Sequence, residues 1–276
     1  MPPEINPGEF VEALLPAFRE AASLARHLEG RVENNPKMGE VTEVKQALTA
    51  ADTEVQQIIL RALESQFPFV ELAAEEDTPL VERFGDNPEQ RVVIDPIDGT
   101  LLSYLQGVGP YSVLVGLVVR GQYRAALVAL PREGLLFDAF ENGGARVARP
   151  RGSRRPARVS RGGNRILLSN GTPACVAEFL QERGFETVFS SGGAVSVAPL
   201  IAGVRAGLRW VPGDNGISIR GRVGALVCRE AGAKVFGAAG SSFPSDFDSP
   251  AHSLLVCGED SDRELLEAAL ATVKSA

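Results

Sequence analysis

The sequence predicts a mixed α/β protein, and three patterns along the chain support this class. Apolar residues recur at helical spacing over residues 9–29. Three apolar runs joined by short glycine-containing turns lie within residues 112–140, which is typical of an antiparallel meander. From Ile166 onwards, short apolar runs alternate with helical patterns, as in proteins that layer helices on sheets.

Two helices are predicted before the first strand. The first covers residues 9–29 and contains Pro16, which we expect to kink it. The second covers residues 54–66 and presents one apolar face. Asp52 and Thr53 stand just before this helix, so Asp52 is a candidate helix cap.

The remaining elements are short strands and helices. Strands are predicted at 70–74, 92–94, 112–119, 124–130, 135–140, 166–169, 187–190, 208–211, 233–236 and 253–257. Helices are predicted at 172–183, 195–205, 223–231 and 262–273. We expect two halves: an N-terminal half, 1–150, that carries an acidic site, and a C-terminal half, 151–276, that closes it.

Residues 146–165 contain eight arginines and no acidic residue. Such a stretch in an acidic protein suits contact with an anionic substrate or polymer. The prolines and glycines that interrupt it favour a second interpretation, a solvated hairpin and connection between the halves. We expect the second.

Composition restricts the class of protein. The chain has 276 residues, 44% of them hydrophobic, and a net charge of −7, so general nucleic-acid binding is not expected. Its three cysteines are dispersed without metal-ligand spacing or a disulfide framework. No secretory pattern and no apolar run long enough for a membrane span are present, so we expect a cytoplasmic protein.

The most informative stretch is Asp95–Thr100, which reads Asp-Pro-Ile-Asp-Gly-Thr. It follows an apolar run that predicts a buried strand, and Pro96 is expected to end that strand. Asp95 and Asp98 would then lie together at a strand end, where open α/β sheets bind ligands. Carboxylate oxygens are the ligands that Mg²⁺ prefers.

A second acidic pair, Glu75-Glu76, follows the predicted strand 70–74. A lone Glu-Glu pair is most often a solvated turn. Two acidic clusters at two strand ends, however, favour one shared metal site.

These residues give the chain a family resemblance. It resembles the inositol monophosphatase superfamily of Mg²⁺-dependent, often lithium-sensitive phosphatases, through Glu75-Glu76 and the Asp95–Thr100 motif. The segment Leu48–Asp52 is similar to the family's Val-Thr-x-x-Asp, and residues 142–145 and 230–233 also have family counterparts. The resemblance implies a layered α-β-α-β-α sandwich with the active site between its halves.

The resemblance also implies roles for individual residues. Glu75, Asp95, Asp98 and the carbonyl of Ile97 would ligate Mg²⁺. Thr100 and Glu75 would orient a nucleophilic water, with Asp52 placed near the site as a catalytic residue. The amides of Gly99 and Thr100 would bind phosphate.

The third carboxylate ligand is ambiguous, because the family's Trp-Asp is absent. Counting without a gap from Glu230-Ala231-Gly232 places Arg220 at the position of the family's aspartate. Arginine cannot ligate a metal, although its charge can contact phosphate in place of part of a second metal. A shift of six residues makes Asp214 the ligand instead, while Asp214 also suits a turn in Pro-Gly-Asp-Asn-Gly.

Two functions follow from this set. The first is a Mg²⁺-dependent phosphatase acting on a small phosphomonoester, such as an inositol phosphate, a sugar phosphate or a 3′-phosphonucleotide. The second is a catalytically weakened family member that binds a phosphorylated ligand or partner, which Arg220, Leu101 and Leu102 favour. The resemblance further implies a possible homodimer. The net charge and the lack of a long apolar run predict no nucleic-acid and no membrane partner.

Overall fold

A computed structural model describes residues 3–37, 48–160, 162–213 and 216–274. Within these ranges the chain forms one sheet of seven strands and one of five. The first sheet contains β1 (Val70–Ala73), β2 (Asn87–Asp98), β3 (Ser112–Val119), β4 (Gln122–Leu130), β5 (Leu135–Phe140), β6 (Gly144–Ala148) and β7 (Arg155–Pro156), in that order. The second contains β8 (Arg165–Ser169), β9 (Glu186–Ser190), β10 (Val204–Trp210), β11 (Lys234–Phe236) and β12 (Ser253–Cys257).

Six α-helices lie among the described residues: α1 (Pro7–Leu28), α2 (Ala50–Gln66), α3 (Ala174–Gln181), α4 (Gly192–Ser196), α5 (Val223–Glu230) and α6 (Asp260–Ala271). A π-helical segment, Thr100–Leu105, directly follows β2. None of the described helices is long and apolar enough to span a membrane.

Three apolar cores stack these elements into five layers. One core lies between α1 and α2 and one face of the first sheet, with Leu14, Ile59 and Val115 among its members. The second joins the other face of that sheet to α4, α5 and the second sheet. The third lies between the second sheet and the pair α3 and α6. The order is therefore α-β-α-β-α, as the family resemblance implies.

Alternation along the strands explains how the sheets separate these cores. Val113 and Val115 of β3 belong to the core against α1 and α2, whereas Leu114 between them belongs to the core between the two sheets. Successive side chains of a strand point to opposite faces, so a strand covered on both faces has apolar residues throughout. All eight residues of β3 are buried accordingly.

Several predicted boundaries change in the structure. β2 does not end at Pro96; it continues to Asp98 through an irregular register against β3 between Asp95 and Asp98. The helix predicted at 195–205 is wrong beyond Ser196, where α4 ends; a short 3₁₀ turn, Ala198–Leu200, follows, and β10 begins at Val204. β10 pairs with β8 and β12 there, and pairing within a sheet overrides a weak helical pattern.

The basic stretch forms β6 and β7, which pair as neighbours, and part of its charge is neutralised internally. Arg146 and Arg154 both form ion pairs with the buried Asp138 and with Glu12. This agrees with the structural interpretation for these two arginines.

Candidate functional site

The pairing of β1 with β2 brings the two acidic clusters together. These strands are parallel, with Glu71 opposite Arg91 and Ala73 opposite Val93. Continuation of this register by two residues places Glu75 beside Asp95. In addition to burial, the negative charge of Glu75 raises the pKa of Asp95, as expected for neighbouring carboxyl groups.

Asp95 is buried, with 6% of its surface exposed. Burial raises its pKa well above the usual range, and the negative charges of Glu75 and Asp98 raise it further. Its Oδ1 atom has no hydrogen-bond partner within the described part of the chain. A buried carboxylate oxygen left without a partner is costly, so Asp95 is suited to a ligand that supplies positive charge.

Asp98 connects the first sheet to the start of α4. Its Oδ2 accepts hydrogen bonds from the Ser112 hydroxyl at 2.8 Å and from the backbone N–H of Gly193 at 2.5 Å. Ser191 lies 2.9 Å from the Ser112 hydroxyl and extends the network. These contacts fix the orientation of the Asp98 carboxylate.

Gly99 forms the corner between β2 and the π-helical segment. Its φ is +91°, in the left-handed region that favours glycine. A Cβ at this position would lie 2.8 Å from the Cβ of Ser191. Glycine is therefore required here by both backbone conformation and space.

Thr100 and Asp52 meet in the structure. The Thr100 hydroxyl is 2.8 Å from the Ile97 carbonyl oxygen and 3.2 Å from Asp52 Oδ1. Asp52 Oδ2 accepts from the backbone N–H and the hydroxyl of Thr49, which completes a capping box at the start of α2. The helix therefore begins four residues earlier than predicted: Thr49 is its N-cap, and Asp52 lies in its first turn as the partner in the capping box. Asp52 is also a neighbour of Thr100, as predicted from the family resemblance.

The environment of Asp52 perturbs its ionisation. Burial raises its pKa to about 7, against the opposing effect of the hydrogen bonds from Thr49, and the charges of Glu76 and Glu75 contribute to the rise. Asp52 consequently exchanges its proton close to neutral pH in the protein without bound cations.

The two residues of the Glu75-Glu76 pair have different surroundings. Glu76 is buried and forms an ion pair with Lys37 at 2.7 Å. Its backbone N–H and carbonyl are both hydrogen bonded to the side chain of Gln56. These contacts tie Glu76 to α2 and leave Glu75 beside Asp95.

Arg220 lies at the acidic cluster. Its Nε is 3.9 Å from Glu75 Oε2, and its positive charge lowers the pKa of Asp95 and Glu76 against the larger effect of burial. Tyr123 donates a hydrogen bond to the carbonyl of Ile219 and so anchors the preceding residue. Asp214, the alternative ligand, lies outside the described residues.

No three carboxylate, histidine or cysteine side chains in the described ranges are grouped so that they could hold a metal ion together. The structure thus gathers Glu75, Asp95 and Arg220, adds Thr100 with Asp52, and turns one oxygen of Asp98 towards Ser112 and Gly193.

Sequence reasoning missed several residues of this region: Ser112, Ser191, Gly193 and Arg209. The first three had no distinct signal, because serines and glycines are common in turns. Arg209 had a weak one, since it is the one charged residue within the predicted strand 208–211.

Comparison with known proteins identifies the family of the chain. The model of the inositol monophosphatase family matches residues 9–187, well over half of the chain. The chain therefore belongs to the inositol monophosphatase family, whose members are phosphoric monoester hydrolases. No curated protein sequence matches it significantly.

Solved structures share the fold. An IMPase from Thermotoga maritima is 19% identical, with 97% of this chain and 99% of that chain covered and a TM-score of 0.73. The extragenic suppressor protein SuhB from Bartonella henselae is 18% identical, with 95% and 98% covered and a TM-score of 0.73. An IMPase/NADP phosphatase, solved with NADP and Ca²⁺, is 16% identical, with 96% of both chains covered and a TM-score of 0.69.

Proposed function

We propose that this chain hydrolyses a small phosphomonoester and depends on Mg²⁺ for this activity. The observation that carries the proposal is the buried Asp95, whose Oδ1 has no partner among the described residues and whose neighbours include Glu75 and Asp98. Like charges held together in a buried place destabilise the protein unless a cation compensates them.

The donor atoms are of the type that a hard divalent cation takes, although the described carboxylates are not grouped in threes around one point and would have to draw together on binding. Glu75, Asp95, Asp98 and the Ile97 carbonyl would hold Mg²⁺, all through oxygen atoms. The cation would supply charge neutralisation for the phosphate and activation of the attacking water. The related IMPase/NADP phosphatase was solved with Ca²⁺, another cation of this kind.

The other residues position the reactants. We assign the backbone N–H groups of Gly99 and Thr100 to the phosphate oxygens, because glycine at this corner lets a ligand approach the backbone. Thr100 and Glu75 would orient the water, with Asp52 fixing the Thr100 hydroxyl through the 3.2 Å contact. Arg220 would donate to the phosphate beside Glu75.

The substrate is proposed only as a class: inositol phosphates, sugar phosphates or 3′-phosphonucleotides. A panel of these should release phosphate in the presence of Mg²⁺ and not after chelation. Asp95→Asn should reduce the rate by about 100-fold or more, whereas Asp86→Asn, which changes an exposed aspartate before β2, should leave it unchanged.

The same substrate panel also tests the second function, that of a catalytically weakened family member which binds a phosphorylated ligand. Its support is Arg220, which stands 3.9 Å from Glu75. Binding of phosphorylated compounds without turnover by the wild-type protein would favour this second function and overturn the first.

A further inference from the structure

Arg209, near the end of β10, is a positive charge set into the cleft without an acidic partner. Among the described residues, no carboxylate forms an ion pair with it, and its one hydrogen bond is a long contact of 3.4 Å from Nη1 to the Gly221 carbonyl. Burial lowers its pKa, while the charges of Asp98 and Asp95 oppose this. The guanidinium thus retains donors for a further partner.

Two glycines make space for this side chain. A Cβ at Gly192 would lie 1.9 Å from Arg209 Nη1, and one at Gly221 would lie 2.3 Å from the same atom. Neither distance is possible for real atoms, so any other residue at either position would displace the guanidinium. The two glycines therefore leave the space that the guanidinium occupies.

The guanidinium lines a cavity of about 160 Å³, and Asp98 and Gly99 line the same cavity. Its lining includes the polar residues Ser169, Asn170, Ser190 and Ser191 and the apolar residues Leu101, Leu102 and Val211. The Ser190 hydroxyl is fully buried and has no hydrogen-bond partner in the described structure. A polar group left unpartnered in a cavity wall points to a polar ligand.

We propose that Arg209 binds a second anionic group on the leaving-group side of the substrate, so that this enzyme selects small phosphomonoesters that carry another carboxylate or phosphate. This inference rests on the proposed phosphatase function. Arginine pairs with both anions through two parallel hydrogen bonds, and the serines would bind hydroxyl groups between them.

The size of the cavity restricts the leaving group further. Pockets for drug-sized ligands measure about 300–1,000 Å³, so this cavity holds a smaller group. A short polyol acid or a sugar phosphate fits this description better than a nucleoside does.

Matched substrate pairs test the proposal. Glycerol 3-phosphate and 3-phosphoglycerate differ in a carboxylate, and fructose 1-phosphate and fructose 1,6-bisphosphate differ in a second phosphate. For each pair we divide the kcat/KM of the compound that carries the second anion by the kcat/KM of the compound that lacks it. The pair with the larger ratio in the wild-type enzyme identifies which anion Arg209 takes.

Arg209→Gln should reduce this ratio by about tenfold or more, as expected for the loss of a charge-assisted pair. Arg209→Lys should restore part of it, because the charge returns without the planar geometry. The control is Arg165→Gln, on the adjacent strand β8, where the arginine pairs with the exposed Glu186. An unchanged ratio in Arg209→Gln would overturn the inference while leaving the phosphatase function intact.

If the wild-type protein releases no phosphate from any compound, the proposed function fails and binding decides the inference. Dissociation constants of the same four compounds are then measured by calorimetry. The role of Arg209 is supported if the wild-type protein binds the doubly anionic compound of a pair more tightly and Arg209→Gln removes this preference. Equal affinities of the wild-type protein for the two compounds of each pair contradict it.

Discussion

Asp52 shows how one side chain serves both structure and site. It caps α2 through Thr49 and contacts Thr100, and both contacts require it to be buried. A buried carboxyl group without a cationic partner is easier to hold in its neutral form, which is why its pKa rises.

The raised pKa of Asp52 predicts a dependence of stability on pH. Its pKa is about 7 in the folded protein and near 4 when unfolded, so the folded state binds the extra proton between these values. The free energy of unfolding should therefore fall as pH rises from 4 to 7. Asp52→Asn keeps an oxygen that accepts from Thr49 and removes the charge, so it should stabilise the metal-free protein at pH 8 by on the order of 3 kcal/mol.

Urea unfolding at pH 5 and pH 8 in the presence of a chelator measures this effect. The advantage of Asp52→Asn should shrink at pH 5, and Asp86→Asn should show no such pattern. A variant less stable than the wild type at both pH values would show that the carboxylate acts mainly as a charged cap.

Arg220 carries a second residue-level prediction, about metal stoichiometry. Arg220 lies 3.9 Å from Glu75, and our hypothesis is that its guanidinium stands in place of the third carboxylate, as in the alignment without a gap. A positive charge repels a second cation, so the wild-type protein should bind one Mg²⁺ tightly, and Li⁺ should inhibit it weakly. Arg220→Asp should add a second binding event.

Calorimetric titration with Mg²⁺, repeated with Mn²⁺ by electron paramagnetic resonance, counts the sites. Asp214→Asn is the matched variant and should change the stoichiometry little. Loss of a metal in Asp214→Asn, with no gain in Arg220→Asp, would reverse the assignment.

At the scale of elements, the corner between β2 and the π-helical segment determines the geometry of the site. Gly99 lets the chain turn sharply after Asp98, so that Thr100 folds back to the Ile97 carbonyl. The irregular register of β2 against β3 begins after Asp95, and such irregularities redirect side chains at the ends of strands.

This corner predicts a specific sensitivity to substitution. Gly99→Ala should destabilise the protein by about 2–4 kcal/mol, because it combines a left-handed backbone with a Cβ 2.8 Å from that of Ser191. Gly121→Ala is the control: its φ is +74°, but no atom lies within 4 Å of the added Cβ. The control should cost only about 1 kcal/mol.

Denaturant unfolding of both variants separates the backbone cost from the steric cost. Equal losses in the two would show that the contact of residue 99 with Ser191 relaxes without penalty.

At the scale of the whole molecule, the site lies where the two sheets approach each other. Asp95 and Asp98 come from β2, whereas Gly193 and Arg209 come from the part of the chain that forms the second sheet. The hydrogen bond from Gly193 to Asp98 joins these parts directly. A ligand bound at this place contacts both and should stabilise their packing together.

Cation binding should therefore raise the melting temperature of the whole protein. At a Mg²⁺ concentration 100 times the Kd, the gain is about 2.7 kcal/mol. Without Mg²⁺, Asp95→Asn should melt at the same temperature as the wild type or higher, since it removes a repelled charge, but added Mg²⁺ should no longer raise it. A large loss of stability in this variant without metal would instead assign Asp95 a structural role.

Local sequence determined much of this protein. The strand and helix pattern predicted most elements, β6, β7 and α4 excepted, because burial on one or both faces leaves a periodic apolar signal. The Asp95–Thr100 motif and Glu75-Glu76 predicted the acidic site, because their carboxylates follow apolar runs within a few residues. The same motifs carried the family resemblance that the family match confirms.

Only the tertiary structure decided which distant residues meet. The register of β1 on β2 brings Glu75 to Asp95, and the packing of the two sheets brings Arg220 to Glu75 and Gly193 to Asp98. The role that we propose for Arg209 likewise depends on residues at other positions of the chain, namely two glycines and a serine. Such contacts leave no periodic trace along the chain, because they depend on the order of strands and the packing of layers, which no short segment encodes.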